Sequence, residues 1–432
     1  MLFDTDAETL PREELRALQL QRLQTTVTRC YQTVTHYRQA LDELGLKPCH
    51  IKTLDDIRRL PFTEKAHLRE SYPFGLFAVP MDQVIRVHAS SGTTGKPTVG
   101  GYTRRDIRIW ARLMARALAA AGLRAGDRFH NAHGYGLFTG GLGFHYGAEE
   151  LGVMIAPMSG GQTQRQIMLL RDFAADGMCC TPSYALNIVE TAEAMDVDIR
   201  RFPLRVGMFG GEPWSEAMRC ELESRLGIDA VDVYGLSEIM GPGVGVECRE
   251  EKRGQHIFED HFLPEIVAPD TGQPLPWGEV GELVLTTLTK EACPLLRYRT
   301  RDITALEPAP CRCGRTHLRM RRVQGRSDDM IIIRGVNVFP SQVEDLLMQT
   351  ENLTPFYQLE AFRDGSLDQL VVNVEGAAPL LAQGQEAMAR VAAKAQKAIK
   401  DYIGIATIVV IKNIGEIARS PGKAVRVIDH RR

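Results

Sequence analysis

Leu204-Arg205-Val206-Gly207-Met208-Phe209, a helical pattern over 214–226, and then Ile228-Asp229-Ala230-Val231-Asp232-Val233-Tyr234 set the class of this chain. Each apolar run is too short for a buried helix, and the amphipathic segment between them has helical period, so the order is strand, helix, strand. The same order extends upstream, with a strand over 153–157, a helix over 162–175, a strand over 178–181 and a helix over 183–195. Short connections between such elements predict a parallel α/β sheet with right-handed crossovers. Nearer the start, Leu15, Leu18, Leu20, Leu23 and Val27 fall at helical spacing within 12–45, and 104–122 reads as an Ala-rich helix stopped at Gly122.

The texture changes near residue 255. Runs 262–267 and 281–287 are β-rich, and Pro269-Asp270-Thr271-Gly272-Gln273-Pro274 and Trp277-Gly278-Glu279-Val280-Gly281 are turn sequences, which predicts a β-barrel-like flank on the α/β core. Gly325-Arg326-Ser327-Asp328-Asp329 marks a boundary. Beyond it come strands over 330–333, 357–363, 370–374 and 407–411 and helices over 341–349 and 385–401, a small α+β lid. The expected domains are therefore 1–325 and 326–432. A chain of 432 residues exceeds what one core supports, so two domains also follow from length.

Composition narrows the function. With 44% apolar and 25% charged residues the chain is of soluble globular type. A net charge of −2 without a Lys/Arg block argues against nucleic-acid partners. The acidic start lacks the order of a signal peptide, and no apolar run reaches membrane-spanning length. Nine cysteines without a disulfide framework fit a reducing compartment. A cytoplasmic location, with no membrane partner, is expected.

Ser90-Ser91-Gly92-Thr93-Thr94-Gly95-Lys96-Pro97-Thr98 has the composition of a phosphate cradle. Backbone N–H groups and hydroxyls in such a turn converge on anionic oxygens. It is not a Walker loop, because only two residues separate Gly92 from Gly95-Lys96. An ordinary surface loop is the competing reading. Far downstream, Arg419-Ser420-Pro421-Gly422-Lys423 sets a lone lysine in a glycine-containing loop. A cradle in one domain and a lysine in another suggest a site assembled by closure.

Four further segments carry candidate chemistry. In Tyr234-Gly235-Leu236-Ser237-Glu238 a carboxylate follows a strand, where α/β proteins bind ligands and Mg²⁺ would sit beside phosphate. The alternative is Ser237 as a helix N-cap with Glu238 in the first turn. Phe209-Gly210-Gly211-Glu212 gives a flat ring access to the backbone, or is a plain turn. The aspartate of Tyr298-Arg299-Thr300-Arg301-Asp302 suits adjacent sugar hydroxyls, or forms a turn. Tyr135-Gly136-Leu137-Phe138-Thr139-Gly140-Gly141 would wall a planar ligand, or bury its aromatics in the core.

A separate cluster has soft ligands. Cys311 and Cys313, with Cys248 and His256 upstream, offer a closed tetrahedral Zn²⁺ set, although one residue between Cys311 and Cys313 is not finger spacing. Free cysteines in a buried loop are the alternative, and His261 or His317 would substitute for His256.

Taken in order, residues 91–97, 134–143, 210–212, 234–238, 298–302, 325–329 and 420–424 resemble the adenylate-forming superfamily, and within it the phenylacetate–CoA ligase family, over nearly the whole chain. The resemblance implies a carboxylate attacking the α-phosphorus of ATP to give an acyl-adenylate and pyrophosphate, then coenzyme A displacing AMP. It implies that Ser91, Gly92, Thr93, Thr94, Gly95 and Lys96 grip the β/γ-phosphates, with Ser237 contributing a hydroxyl, and that Glu238 places Mg²⁺. Gly211, Glu212, Tyr234 and Gly235 would line the adenine site, Asp302 and Arg326 would hold the ribose, and Lys423 would bridge carboxylate and α-phosphate. Tyr135, Phe138, Gly140 and Gly141, with Ile239 and Pro242 opposite, would line the acid pocket, and Phe144 would narrow its floor. The small domain would pivot near Asp328, bringing Arg334 and Gly335 to the coenzyme A tunnel. Some relatives carry a structural zinc, and dimers are typical. Arg301 stands where the superfamily often has Gly, and Ser237 where it has Thr. The expected activity is ATP-dependent ligation of an aryl-acetic acid, phenylacetate first, to coenzyme A. The rival readings are an adenylyltransferase of the coenzyme F390 synthetase type and a non-catalytic nucleotide-binding module.

Overall fold

A computed structural model describes all residues except 91–95, 328, 329, 335, 365, 366, 421 and 432. The chain forms two compact units. The first comprises Met1–Cys180, Phe202–Gly211 and Asp229–Arg322, and the second Thr181–Arg201, Glu212–Ile228 and Val323–Arg432.

The first unit is built on a nine-stranded mixed sheet. On one side Met154–Ala156, Arg128–Asn131, Gly177–Cys180, Val206–Gly210 and Asp229–Leu236 lie parallel in that spatial order. On the other, Gly241–Glu247, Gln255–Ile257, Arg319–Met320 and Leu306–Glu307 continue antiparallel. The strands expected to be parallel are so, and the antiparallel half of the same sheet is an addition that the sequence reading did not contain. Residues 237–240 are too few for a crossover, which needs about a dozen, so the strand after Leu236 must turn back. Phe262–Val267, Gly281–Thr287 and Tyr298–Thr304 form antiparallel neighbours in a second sheet, in the region read as a β-rich flank. A hairpin pairs Arg86–Ala89 with Val99–Tyr102, leaving 90–98 as its connection.

Two helices, Arg104–Ala120 and Thr139–Leu151, cross closely beside the sheet. Glycine permits that approach: a Cβ on Gly147 would sit 2.2 Å from Met114 Cβ, and one on Gly143 2.8 Å from Trp110 Cζ2. Part of the glycine-rich motif read as a wall for a planar ligand, Thr139–Gly141, is thus a buried helical turn.

In the second unit Leu353–Asp364 and Leu367–Gly376 pair antiparallel, with Ile408–Lys412 and Val427–Asp429 added parallel at the two edges. Helices Pro340–Met348 and Gln385–Ile403 pack on a core that includes Val343, Leu347, Leu359, Val372 and Ile399. The unit also includes Pro182–Ala194 and Glu216–Leu226, the helices that follow two of the parallel strands in the chain. No described helix is long and apolar enough to cross a membrane.

Candidate active site

In the first unit the motifs converge at the carboxyl ends of the parallel strands. After Asp229–Leu236 the chain makes a turn, not a helix, so Ser237 is no N-cap. Glu238 is buried, and its Oε1 accepts from Thr98 Oγ1 at 3.0 Å. Lys65 Nζ lies 3.7 Å from the same oxygen. Thr98 also closes the base of the Ser/Thr/Gly loop: its N–H donates to Ser90 Oγ at 3.1 Å, and the two hydroxyl oxygens are 2.8 Å apart. The loop base and the carboxylate are therefore one hydrogen-bonded chain. Residues 91–95 themselves lie outside the described residues. Lys96 Nζ stands 5.7 Å over the Tyr72 ring.

Two donors absent from the sequence reading pin the Glu238 turn from behind. Lys290 Nζ, fully buried, donates to the Ile239 carbonyl at 2.6 Å, and Tyr102 OH donates to the Met240 carbonyl at 2.9 Å. Burial lowers the basicity of Lys290, and its ammonium lies 4.3 Å over the Tyr102 ring. Ser237 Oγ lies 3.2 Å from Thr139 Oγ1. A Cβ on Gly235 would fall 1.9 Å from the Gly241 carbonyl oxygen, so only glycine fits there.

Tyr234 OH donates to Asp302 Oδ2, bringing the expected adenine and ribose residues together. Asp302 follows Arg301, which adopts a left-handed φ of 68°. That conformation costs a side-chain-bearing residue about 1–2 kcal/mol. The guanidinium is held by Glu64 at 3.0 Å and the backbone N–H by Glu282 Oε1 at 3.2 Å.

Asn131 organises the proposed acid wall. Its Nδ2 donates to Tyr135 OH and to the Gly141 carbonyl, each at 2.8 Å, while Oδ1 accepts from His133 N at 3.1 Å. Burial pushes the Tyr135 phenol up, so it stays protonated at neutral pH. A Cβ on Gly140 would meet the Phe138 ring at 2.5 Å, and one on Gly141 would meet the Gly134 carbonyl oxygen at 2.7 Å. Ile239 is fully buried, and Pro242 accepts from Trp110 Nε1 through its carbonyl at 2.8 Å. Phe144 is buried and stacks on His133, with centroids 5.3 Å apart.

In the second unit Glu212 does not lie idle beside a turn. Its Oε1 accepts from Ser183 N at 2.8 Å and its Oε2 from Ala424 N at 2.9 Å. The segment carrying Lys423 is thus tied to the end of the GGE motif. Arg334 Nε donates to the Asp368 carbonyl at 2.9 Å, and Arg326 lies in the short strand Gly325–Arg326. Asp328 and Gly335 lie outside the described residues.

The model of the AMP-binding enzyme family matches residues 12–288, and that of the AMP-binding enzyme C-terminal domain matches 335–431. The chain is 55% identical to the phenylacetate–coenzyme A ligase of Escherichia coli strain K12, over 98% of this chain and 97% of that one. It is 51% identical to the enzyme of that name from Thermus thermophilus, over the full length of both. The chain belongs to the phenylacetate–CoA ligase family. A crystal structure of 2-hydroxyisobutyryl-CoA ligase in the postadenylation state is also similar, with TM-score 0.93 and 29% identity over 99% of this chain and 92% of that one. ATP and coenzyme A are the substrates of this class of adenylate-forming, AMP-releasing acid–CoA ligases.

This family member also gathers the four soft ligands. Cys248, His256, Cys311 and Cys313 have ligand atoms within 4.8 Å of one another. Cys248 and Cys311 sulfurs are 3.4 Å apart, and Cys313 Sγ is 3.4 Å from His256 Nε2. Hydrogen bonding from Cys248 holds the Cys313 thiol well below the usual thiol range, and the same contact drives Cys248 up. His261 and His317 stand apart: His261 faces Thr289 and Asp260, and His317 Nε2 meets the Ala7 carbonyl.

Proposed function

We propose that this ligase joins an aryl-acetic acid, phenylacetate foremost, to coenzyme A through an acyl-adenylate. A carboxylate oxygen attacks the α-phosphorus of ATP and the bond to pyrophosphate breaks. The coenzyme A thiolate then attacks the acyl carbon and AMP leaves. The observation that supports the first step is the chain from Ser90 through Thr98 to Glu238, which joins the end of a segment with the composition of a phosphate cradle to a buried carboxylate. Phenylacetate as the acid rests on the relatives and on the wall of Tyr135 and Phe138.

Glu238 fits a divalent cation: it keeps one hydroxyl donor and a lysine at ion-pair distance, leaving oxygen lone pairs free for a hard ion. Mg²⁺ there would offset charge on the triphosphate. Asp302, aligned by Tyr234, would take the ribose hydroxyls. Lys423 would place its ammonium where negative charge gathers as two anions react, the situation in which an aimed cation contributes most. Its C-terminal domain, from residue 326, would pivot near Asp328 so that Arg334 and Gly335 serve coenzyme A.

The Cys/His group fits a structural zinc. Zn–S bonds of about 2.3 Å place tetrahedral ligand sulfurs about 3.7 Å apart, close to the separations seen. His256 also directs Nδ1 toward the His317 carbonyl, which leaves Nε2 for a metal. Metal analysis of the purified protein should give one zinc per chain, and loss of that zinc to a chelator should lower Tm. A metal-free protein of unchanged Tm counts against it.

The functional test incubates the protein with ATP, Mg²⁺ and a panel of aryl acids, with and without coenzyme A. AMP and pyrophosphate should form, with phenylacetate preferred and thiol consumed. Nucleotide transfer without thiol consumption would point to the adenylyltransferase reading, and absence of pyrophosphate to a binding module.

A further inference from the structure

The hydrogen bonds on either side of Lys423 are made by Thr181, which has no part in the chemistry above, and by Glu212, which the family resemblance placed at the adenine. Thr181 follows the strand Gly177–Cys180, and Glu212 comes just after Val206–Gly210. Thr181 Oγ1 accepts from Tyr184 N at 3.3 Å as the cap of helix Pro182–Ala194, and donates to the Gly422 carbonyl at 2.9 Å. Glu212 spends one oxygen on Ser183 N in the first turn of that helix and the other on Ala424 N. The peptides on both sides of Lys423 are therefore held, one through a carbonyl and one through an N–H. Farther out, Arg419 pairs with Glu190 at 2.9 Å and Glu375 at 2.7 Å, and Arg426 Nη2 reaches Ser183 Oγ at 3.4 Å.

We propose that Thr181 and Glu212 are positioning residues that dock the Lys423 loop for the adenylation half-reaction. The inference rests on the reading of Lys423 as the adenylation cation. Both Glu212 oxygens are engaged with main-chain N–H groups, so its task is to aim the lysine rather than to contact the base. A side chain as flexible as lysine works only when its own backbone is fixed, because misplacement of a reacting group by about 1 Å costs roughly a hundredfold. The dock matters in the first half-reaction and has no work in the second, where the lysine is not needed.

The test compares Thr181→Val, Thr181→Ser and Glu212→Ala with the parent enzyme, after checking that each melts near the parent temperature. Pyrophosphate release in the presence of acid reports adenylation, and thioester formation from supplied phenylacetyl-adenylate reports the second step. Adenylation kcat should fall about fivefold in Thr181→Val, the value of one neutral hydrogen bond, and about 10- to 100-fold in Glu212→Ala, where the acceptor is charged. The ratio of adenylation to thioester rate should fall with it, the ATP KM should stay within about twofold because uniform binding is untouched, and Thr181→Ser should recover the parent rate. Added to Lys423→Ala, neither substitution should slow the residual rate further, since groups acting through one residue are not additive. A raised ATP KM with kcat retained would return Glu212 to the adenine site and overturn the proposal. Equal loss in both half-reactions, or additivity with Lys423→Ala, would also overturn it. Lys423→Ala alone checks the reading underneath: full adenylation in that variant would sink both, whereas its loss beside unimpaired Thr181 and Glu212 variants would sink the dock alone.

Discussion

Glu238 shows how a single carboxylate acquires its role. It is buried, bonded to Thr98 and carried on a turn whose next two carbonyls are fixed by Lys290 and Tyr102. Glu238→Gln keeps the shape and the Thr98 contact but removes the charge. Pyrophosphate release should drop by about 10²–10³, the effect of losing one preorganised electrostatic group, while Tm moves little. Arg301 is the opposite case, a residue whose position looked anomalous beside the superfamily glycine. Its left-handed backbone explains the glycine elsewhere, and its pair with Glu64 explains the arginine here. Relief of about 1–2 kcal/mol of backbone strain in Arg301→Gly roughly cancels the loss of an exposed pair worth about 0.2–1 kcal/mol. Urea unfolding should therefore find the variant within about 1 kcal/mol of the parent, at the same order as those two terms. Asn131 was not legible, because Arg128–Asn131 has three polar residues in four and no apolar run to mark a strand.

Among elements, Thr139–Leu151 carries the clearest lesson. Gly140 and Gly141 read as a ligand wall in the sequence, yet they lie in the first turn of a helix, and Gly143 and Gly147 farther along it are where it crosses Arg104–Ala120. Gly147→Val would drive a branched side chain into Met114 and the backbone around it. Overpacking of this kind costs about 1–3 kcal/mol or more, so thermal unfolding should shift down by several degrees and the Tyr135 wall should shift with it. The helices 104–122, 162–175, 183–195, 214–226 and 385–401 were legible because apolar spacing and capping residues are local signals. Strand direction after Leu236 was not, since it depends on the length of one short connection. Thr181 reads as the last residue of an apolar strand. Its function as a cap and loop anchor comes from what lies beside it.

For the whole molecule, a buried ion cluster ties the N-terminal segment to the helix Arg104–Ala120 and to the turn at Asp260. Arg116 pairs with Asp260 at 3.0 Å and with Asp4 at 2.8 Å. Burial alone would raise both carboxyls, but the His261 ring and Arg116 hold Asp260 well below 3.8, and Arg116 and Arg112 hold Asp4 below it. A depressed carboxylate contributes stability that is present above its unfolded value and lost as pH falls through its folded one. Stability should accordingly fall as pH drops below 3.8. Asp260→Asn, which leaves Arg116 buried without its main partner, should cost about 3–5 kcal/mol at neutral pH, and the gap to the parent should narrow below that pH in urea titrations. Sequence alone determined the α/β class, the break in texture near 255, the candidate soft ligands and the ordered motifs, because each depends on residue type and local spacing. Tertiary structure decided which of those residues meet. Thr98 and Glu238 are 140 positions apart, and Cys248 and Cys311 are 63 apart. Hydrogen bonds and metal ligation act over about 3 Å, whereas the cost of closing a loop grows only slowly with its length, so separation along the chain carries almost no record of contact.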